Sequence, residues 1–208
     1  MHDLVLVQLP RTARASLCAA FATVGVTVHL ADRGDQRPVA AGPSAPVATV
    51  LRHPVHRLQS CFHQRVRAGR PHRERGWSDS EAAFFAAIRS FDQWGEAICS
   101  TDEFYRSAAD RGLLLWDEQF GSLATVATGV ATGAVIVAGS FDDLPAAAQR
   151  LAALIGSDTP TLPTDPAVVD TTPASLPRAI SPLAALGMRM RLADEIERYE
   201  QLLGAQHT

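Results

Sequence analysis

Arginine and hydroxyl side chains follow an apolar run in the segment 46–62, PVATVLRHPVHRLQSCF. Residues 47–51 are rich in β-branched side chains and predict a buried strand, which Arg52 and Pro54 end. The amphipathic stretch that follows predicts a helix. Arg52 is therefore expected at the carboxyl end of a strand, where open α/β sheets bind ligands. With Ser60 on the following helix, an arginine fork in this place predicts a phosphate-binding site.

The N-terminal segment predicts a strand that runs into a helix. Residues 4–9, LVLVQL, predict a short apolar strand, and residues 10–16, PRTARAS, lead into a predicted helix. Arg11 lies in the segment between the two elements.

These two segments resemble the nucleotide-binding motifs of sulfotransferases that use 3′-phosphoadenosine-5′-phosphosulfate (PAPS). Arg-x-Pro-x-x-Arg-x-x-Ser at 52–60 resembles the family's 3′-phosphate segment, and PRTARAS resembles its Pro-Lys-x-Gly-x-Thr-Ser loop. Arg11 takes the lysine position, Ala13 stands where the family has glycine, and Ala15 stands where a hydroxyl is usual. Three further stretches resemble the carbohydrate-type, family 2-like members: residues 113–123, 133–156 and 192–203.

The resemblance implies transfer of a sulfuryl group from PAPS to a hydroxyl or amine of a small-molecule or carbohydrate acceptor. The 10–16 loop would wrap the 5′-phosphosulfate with backbone N–H groups and the helix dipole, and Arg11 would assist departure of the bisphosphate. Arg57 is expected to brace its helix or to pair with an acid. The residues implied to bind the donor are Arg11, Thr12, Ala13, Arg14, Ala15, Ser16, Arg52 and Ser60.

The proton acceptor is expected near the end of the second strand. His29 closes the apolar stretch VTVHL, where its side chain would face the carboxyl edge of the sheet. An imidazole accepts protons near neutral pH, which suits a general base. A histidine that merely packs at the strand end is the alternative interpretation, and Asp32 is the alternative base.

The order of elements, with the resemblance, predicts a single α/β domain over residues 1–208, built as a P-loop-like parallel sheet flanked by helices. Ser78 or Ser80 is expected to cap a helix that begins SEAAFF. The Pro- and Thr-rich segment 157–181 predicts an extended surface segment, and 182–203 predicts a closing helix. The other elements are predicted as strands near 3–9, 26–30, 46–51 and 133–138, and helices near 14–24, 55–67, within 92–111 and near 144–155.

Composition excludes several classes of function. The net charge of −3 argues against nucleic acid as the main partner. No run approaches the ~18 apolar residues of a membrane span, and no signal-peptide layout is present, so a cytoplasmic location is expected. The three cysteines lie far apart without metal-ligand spacing, so no metal is expected.

Two other functions compete with an active sulfotransferase. A kinase-like enzyme would share this architecture, but the G-x-x-x-x-G-K-[ST] pattern that cradles ATP phosphates is missing from the sequence. A non-catalytic nucleotide-binding or scaffold protein with the sulfotransferase fold is favoured by Ala13 and Ala15.

Overall fold

The computed structural model describes residues 2–8, 14–32, 44–68, 75–120, 123–163 and 179–205. These residues fall into two compact units. The first unit is drawn from residues 1–53, 122–170 and 197–208, and the second from residues 54–121 and 171–196. The organisation of residues 1–208 as one domain stays a prediction.

Three of the four described strands lie within residues 2–51, and helices dominate the rest of the described residues. In chain order the elements are β1 (His2–Gln8), α1 (Arg14–Ala22), β2 (Val26–Asp32), β3 (Val47–Leu51), α2 (Pro54–Val66), α3 (Asp79–Ala87), α4 (Phe91–Ile98), α5 (Glu103–Phe120), α6 (Ala124–Ala131), β4 (Ile136–Ser140), α7 (Leu144–Ile155), α8 (Pro182–Arg191) and α9 (Ala193–Gly204).

The first unit contains a parallel sheet of four strands in the order β2-β1-β3-β4. The two central strands are buried along their length, at residues 4–7 of β1 and 48–51 of β3. Such continuous apolar strands are typical of parallel sheets that are covered by helices on both faces. The predicted α/β fold with a parallel sheet flanked by helices is confirmed.

Alternate side chains of β1 pack into different apolar clusters, as the two-residue period of a strand requires. Leu4 and Leu6 belong to a cluster with Phe21 of α1 and Leu151 of α7. Val7 belongs to another cluster, together with Tyr199 of α9. The remaining buried members of this second cluster are Leu51, Leu123, Val126, Val135, Val137 and Leu202.

The second unit is helical and is packed around aromatic rings. Phe62 of α2 contacts Phe84 and Phe85 of α3 and Phe91 and Trp94 of α4, with ring centroids 5.6–6.3 Å apart. Edge-to-face and tilted arrangements dominate, which is the geometry that aromatic quadrupoles favour. Aromatic packing therefore determines how these three helices meet.

A buried ion pair joins α2 to α3. Nε and Nη2 of Arg65 donate to the two carboxylate oxygens of Glu81 at 2.6 and 2.7 Å. The same carboxylate accepts the backbone N–H of Ser78, and the Ser78 hydroxyl accepts the N–H of Glu81, which completes a capping box. The expectation that Ser78 or Ser80 caps this helix is confirmed for Ser78.

Two glycines let α4 and α8 approach closely. A Cβ built on Gly95 would lie 2.5 Å from the carbonyl oxygen of Ala184, and one built on Gly187 would collide with the carbonyl oxygen of Gly95. A Cβ on Gly187 would also lie 3.1 Å from Sγ of Cys99. Because these neighbours are mostly backbone, the helices would have to separate to admit any side chain.

Gly187→Ala is expected to lower the free energy of unfolding by about 1–3 kcal/mol, which is typical of overpacking a filled interior. The clash must exceed the gain of about 1 kcal/mol that alanine brings to a helix. Urea denaturation of the full chain measures the change. The matched control is Gly204→Ala, because a Cβ there meets nothing within 4 Å. A Gly187→Ala protein as stable as the Gly204→Ala protein would contradict the described crossing.

Several elements differ from the sequence-based expectation. α6 was not predicted, because five of the eight residues of ATVATGVA are threonine, valine or glycine, which have low helix propensity. It is instead held by burial of Val126 against the sheet. The predicted closing helix 182–203 is interrupted at Leu192, whose backbone (φ −103°, ψ 19°) caps α8. Of the extended segment 157–181, residues 157–163 have no helix or strand, and residues 164–178 lie outside the described part.

Candidate functional site

The carboxyl ends of β1 and β3 lie side by side at one edge of the sheet. The two strands are parallel neighbours, with Val5 opposite Val47 and Leu6 opposite Ala48. Polypeptide leaving these strands therefore emerges at the same edge, which is where parallel sheets bind ligands. After β1 this polypeptide is the segment 9–13, and after β3 it is Arg52 and His53.

Arg52 contacts an aromatic ring that directly follows the neighbouring strand β4. Leu51 and Ser140 are partners in the register of β3 and β4, so the next residues, Arg52 and Phe141, are adjacent beyond the sheet edge. Cζ of Arg52 lies 4.4 Å from the centroid of the Phe141 ring. This cation–π contact holds a half-buried guanidinium where the sheet ends.

Three further side chains converge beside Arg52. The hydroxyl groups of Ser140 and Tyr199 are 2.9 Å apart and share a hydrogen bond. The Tyr199 ring makes an edge contact with the imidazole of His53, with centroids 5.5 Å apart. The Ser140 hydroxyl also accepts the backbone N–H of Asp142 at 3.1 Å, which fixes the turn after β4. We call His53, Ser140 and Tyr199 the edge cluster.

Tyr199 is expected to remain a neutral phenol over the physiological range. Burial raises its pKa above the ordinary value of a phenol, the hydrogen bond with Ser140 opposes the rise, and the nearby carboxylate of Asp142 adds to it. A neutral phenol keeps its O–H proton and can donate a hydrogen bond. The edge cluster therefore combines a neutral hydroxyl pair with an imidazole.

The residues predicted to hold the 5′ end of the donor are described only in part. Arg11, Thr12 and Ala13 lie outside the described residues. Arg14, Ala15 and Ser16 form the first turn of α1, with Arg14 and Ala15 exposed and Ser16 buried. Backbone N–H groups in the first turn of a helix have no acceptor within the helix, so this end of α1 can receive an anion.

The expected position of His29 is wrong. β2 continues to Asp32, so His29 lies in the middle of the strand, opposite Val5 in β1. Its Nε2 lies 3.4 Å from a carboxylate oxygen of Asp3, towards the amino end of the sheet. The assignment of His29 as the base depended on a place at the carboxyl edge, which this geometry does not provide. Asp32 does end β2 at that edge, but its side chain lies outside the described part.

The other predicted donor-binding residue belongs to the second unit. Ser60 is a buried residue of α2, and its assignment to the 3′-phosphate stays a prediction. Arg57 on the same helix is also buried. Burial lowers the pKa of Arg57, and Cys61, Glu195 and Asp117 oppose that shift. An arginine held inside the unit near two carboxylates fits the bracing role expected of Arg57.

Sequence reasoning did not single out the edge cluster. Ser140 ends, and Phe141 follows, a strand that was predicted two to three residues too early, and Tyr199 lies 59 residues from Ser140. His53 was noted only as a neighbour of Arg52. The register of β3 and β4 brings these residues together, and no local sequence pattern encodes that register.

Two features are absent from the described residues. No group of three or more histidine, cysteine, aspartate and glutamate side chains is arranged there to hold a metal ion. No described helix combines the length and apolar character needed to cross a membrane.

Comparison with family models, with curated proteins and with solved structures finds no match to this chain. Its activity must therefore be inferred from its own residues and geometry.

Proposed function

We propose that this protein is a PAPS-dependent sulfotransferase that moves a sulfuryl group to a hydroxyl or amine of a small-molecule or carbohydrate acceptor. The observation that supports the proposal is Arg52, held against Phe141 where β3 and β4 end. The neighbouring strand β1 runs parallel to β3, and the 10–16 segment follows β1 in sequence. PAPS carries phosphate groups at two ends, so its binding requires two anion-binding segments.

Each segment has a separate task in this reaction. Arg52 binds the 3′-phosphate through its fork of N–H donors, for which a fixed planar guanidinium is suited. Arg11 and the start of α1 hold the 5′ end and stabilise the charge that develops on the departing phosphate. Catalysis then depends on positioning and electrostatics, as in phosphoryl transfer. The proposal includes a cytoplasmic location and a reaction that needs no metal.

Arg52→Ala is expected to weaken binding of 3′,5′-adenosine bisphosphate by tenfold or more, since a charge-assisted hydrogen bond contributes about 1.5–3 kcal/mol. Isothermal calorimetry on the full chain measures the affinity. The parent protein should bind the bisphosphate more tightly than 5′-AMP, and the variant should lose that preference. Arg106→Ala is the matched control, because Arg106 is an exposed arginine on α5. Equal affinities of the parent protein for the two nucleotides would contradict the proposal.

Transfer itself is tested with PAPS that carries labelled sulfur. The chain is incubated with the donor and a panel of sugars, phenols and amines, and labelled products are separated by chromatography. A labelled acceptor, formed equally in the presence of EDTA, is the expected result. Binding of the bisphosphate without any transfer would instead support the non-catalytic nucleotide-binding interpretation. Dependence on added magnesium would favour a kinase-like enzyme.

A further inference from the structure

We propose that His53, positioned by Tyr199 and Ser140, is the general base that accepts the proton of the acceptor. This inference rests on the proposed sulfuryl transfer, which requires a base at the edge of the sheet where the donor binds. His53 is adjacent to Arg52 in sequence and is half-buried beyond β3. It therefore lies at the carboxyl edge, whereas His29 contacts Asp3 on the other side of the strand centre.

The orientation of the His53 imidazole is restrained by the ring of Tyr199. The Tyr199 ring meets the imidazole at an interplanar angle of 74°. Tyr199 is held in turn by its hydrogen bond with Ser140, a residue of β4. Nδ1 of His53 is buried, and the proposal assigns proton exchange to Nε2. A restrained imidazole with one buried nitrogen is suited to proton transfer in a fixed direction.

The charged groups around His53 fit this role. Arg52 is its neighbour along the chain and is drawn towards Phe141. Tyr199 stays neutral, because burial raises its pKa and the carboxylate of Asp142, in the turn that follows β4, raises that pKa further. Thus the ring that faces His53 carries no charge of its own, and the guanidinium beside it is positioned for the donor's phosphate.

The chemical step is balanced without a further reactant. The O–H (or N–H) bond of the acceptor breaks, and its proton passes to Nε2 of His53. The electron pair left on the acceptor atom forms the new bond to sulfur. The bond between sulfur and the bridging oxygen of the donor breaks, and its electron pair leaves on the phosphate oxygen of 3′,5′-adenosine bisphosphate. The imidazolium then releases its proton to water.

The test compares His53→Ala and His53→Gln with the parent chain. Both variants should bind 3′,5′-adenosine bisphosphate almost as the parent does, which also shows that they are folded. Both should transfer sulfuryl about 10²- to 10⁴-fold more slowly, the range attributed to a positioned base. Added imidazole should restore part of the rate to His53→Ala, because it can occupy the space that the side chain leaves. His56→Ala is the matched control, since His56 is an exposed histidine of the next helix.

Tyr199→Phe tests the positioning role separately. This variant keeps the ring against His53 and removes the hydroxyl that bonds Ser140. A lower kcat at an unchanged KM for PAPS is expected, because orientation of the base affects the reaction and not donor binding. An unchanged kcat in a stably folded Tyr199→Phe protein would overturn the positioning role.

The outcomes distinguish this inference from the proposed function. No transfer by the parent chain with any acceptor overturns both proposals. Transfer by the parent chain, with an equal rate in His53→Ala, overturns the assignment of His53 alone. A slow His53→Ala protein that imidazole does not accelerate, together with a His53→Gln protein that retains the parent rate, also overturns it.

Discussion

Glu81→Ala is expected to lower the free energy of unfolding by about 3–5 kcal/mol, because it leaves the buried guanidinium of Arg65 without its carboxylate. The two side chains are only 5% and 0% exposed, so the guanidinium that remains is shielded from bulk water. The same substitution removes the acceptor for the backbone N–H of Ser78 and opens the capping box of α3. Loss of a cap adds to the effect of the unpaired charge.

Denaturation of the full chain in guanidinium chloride measures this change. Asp110→Asn is the matched control, because the ion pair of Asp110 with Arg191 is 3.3 Å long and about half exposed on both sides (49% and 53%). Exposed pairs contribute about 0–1 kcal/mol. A double variant, Arg65→Met with Glu81→Leu, should be more stable than Glu81→Ala, since it buries no charge. Equal losses for Glu81→Ala and Asp110→Asn would contradict the buried pair.

Phe62→Ala should cost about 3–5 kcal/mol of stability, the range for deleting a buried aromatic side chain. Phe62 is 2% exposed, and its ring touches rings from both α3 and α4. Those neighbours are themselves held in place. The indole N–H of Trp94, for example, donates to the carbonyl oxygen of Ala109 at 3.0 Å. They are thus poorly able to move into the space that the substitution leaves.

The matched control is Phe104→Ala in the same unit. Phe104 is 62% exposed and makes a ring contact with Tyr105, a side chain that is also exposed. Its removal is expected to change stability by no more than about 0.5 kcal/mol. Thermal unfolding of both variants, read by near-ultraviolet circular dichroism, reports on the aromatic packing. A Phe62→Ala protein with the melting temperature of Phe104→Ala would show that the rings are not packed as described.

Features that depend on a few neighbouring residues could be predicted from the sequence. The apolar runs 4–7 and 47–51 gave the two central strands, since a strand buried on both faces has a continuous apolar sequence. Ser78 and Glu81 are three residues apart, which is the spacing of a capping box, and both belong to one. α6 was not predicted, because burial of its apolar side chain against the sheet stabilises it more than its local helix propensity does.

The candidate site could be predicted only where it is local. Arg52 was expected at a strand end because Leu51 and Pro54 bracket it in sequence. Its contact with Phe141 depends on how β3 pairs with β4, and no local pattern encodes that pairing. His29 was misplaced for a related reason. β2 pairs with β1 along all seven of its residues, and this pairing extends the strand beyond its apolar stretch.

The last residues of the described chain complete the core that its first strand begins. Val7 and Leu51 share an apolar cluster with Tyr199 and Leu202. A ribosome makes the strands long before it makes α9, so this face of the sheet lacks part of its cover until translation has passed residue 202. Nascent chains that wait with an uncovered apolar sheet are prone to aggregate and are typical clients of chaperones. We therefore expect this protein to be exposed to aggregation during its synthesis, before α9 supplies Tyr199 to the edge cluster.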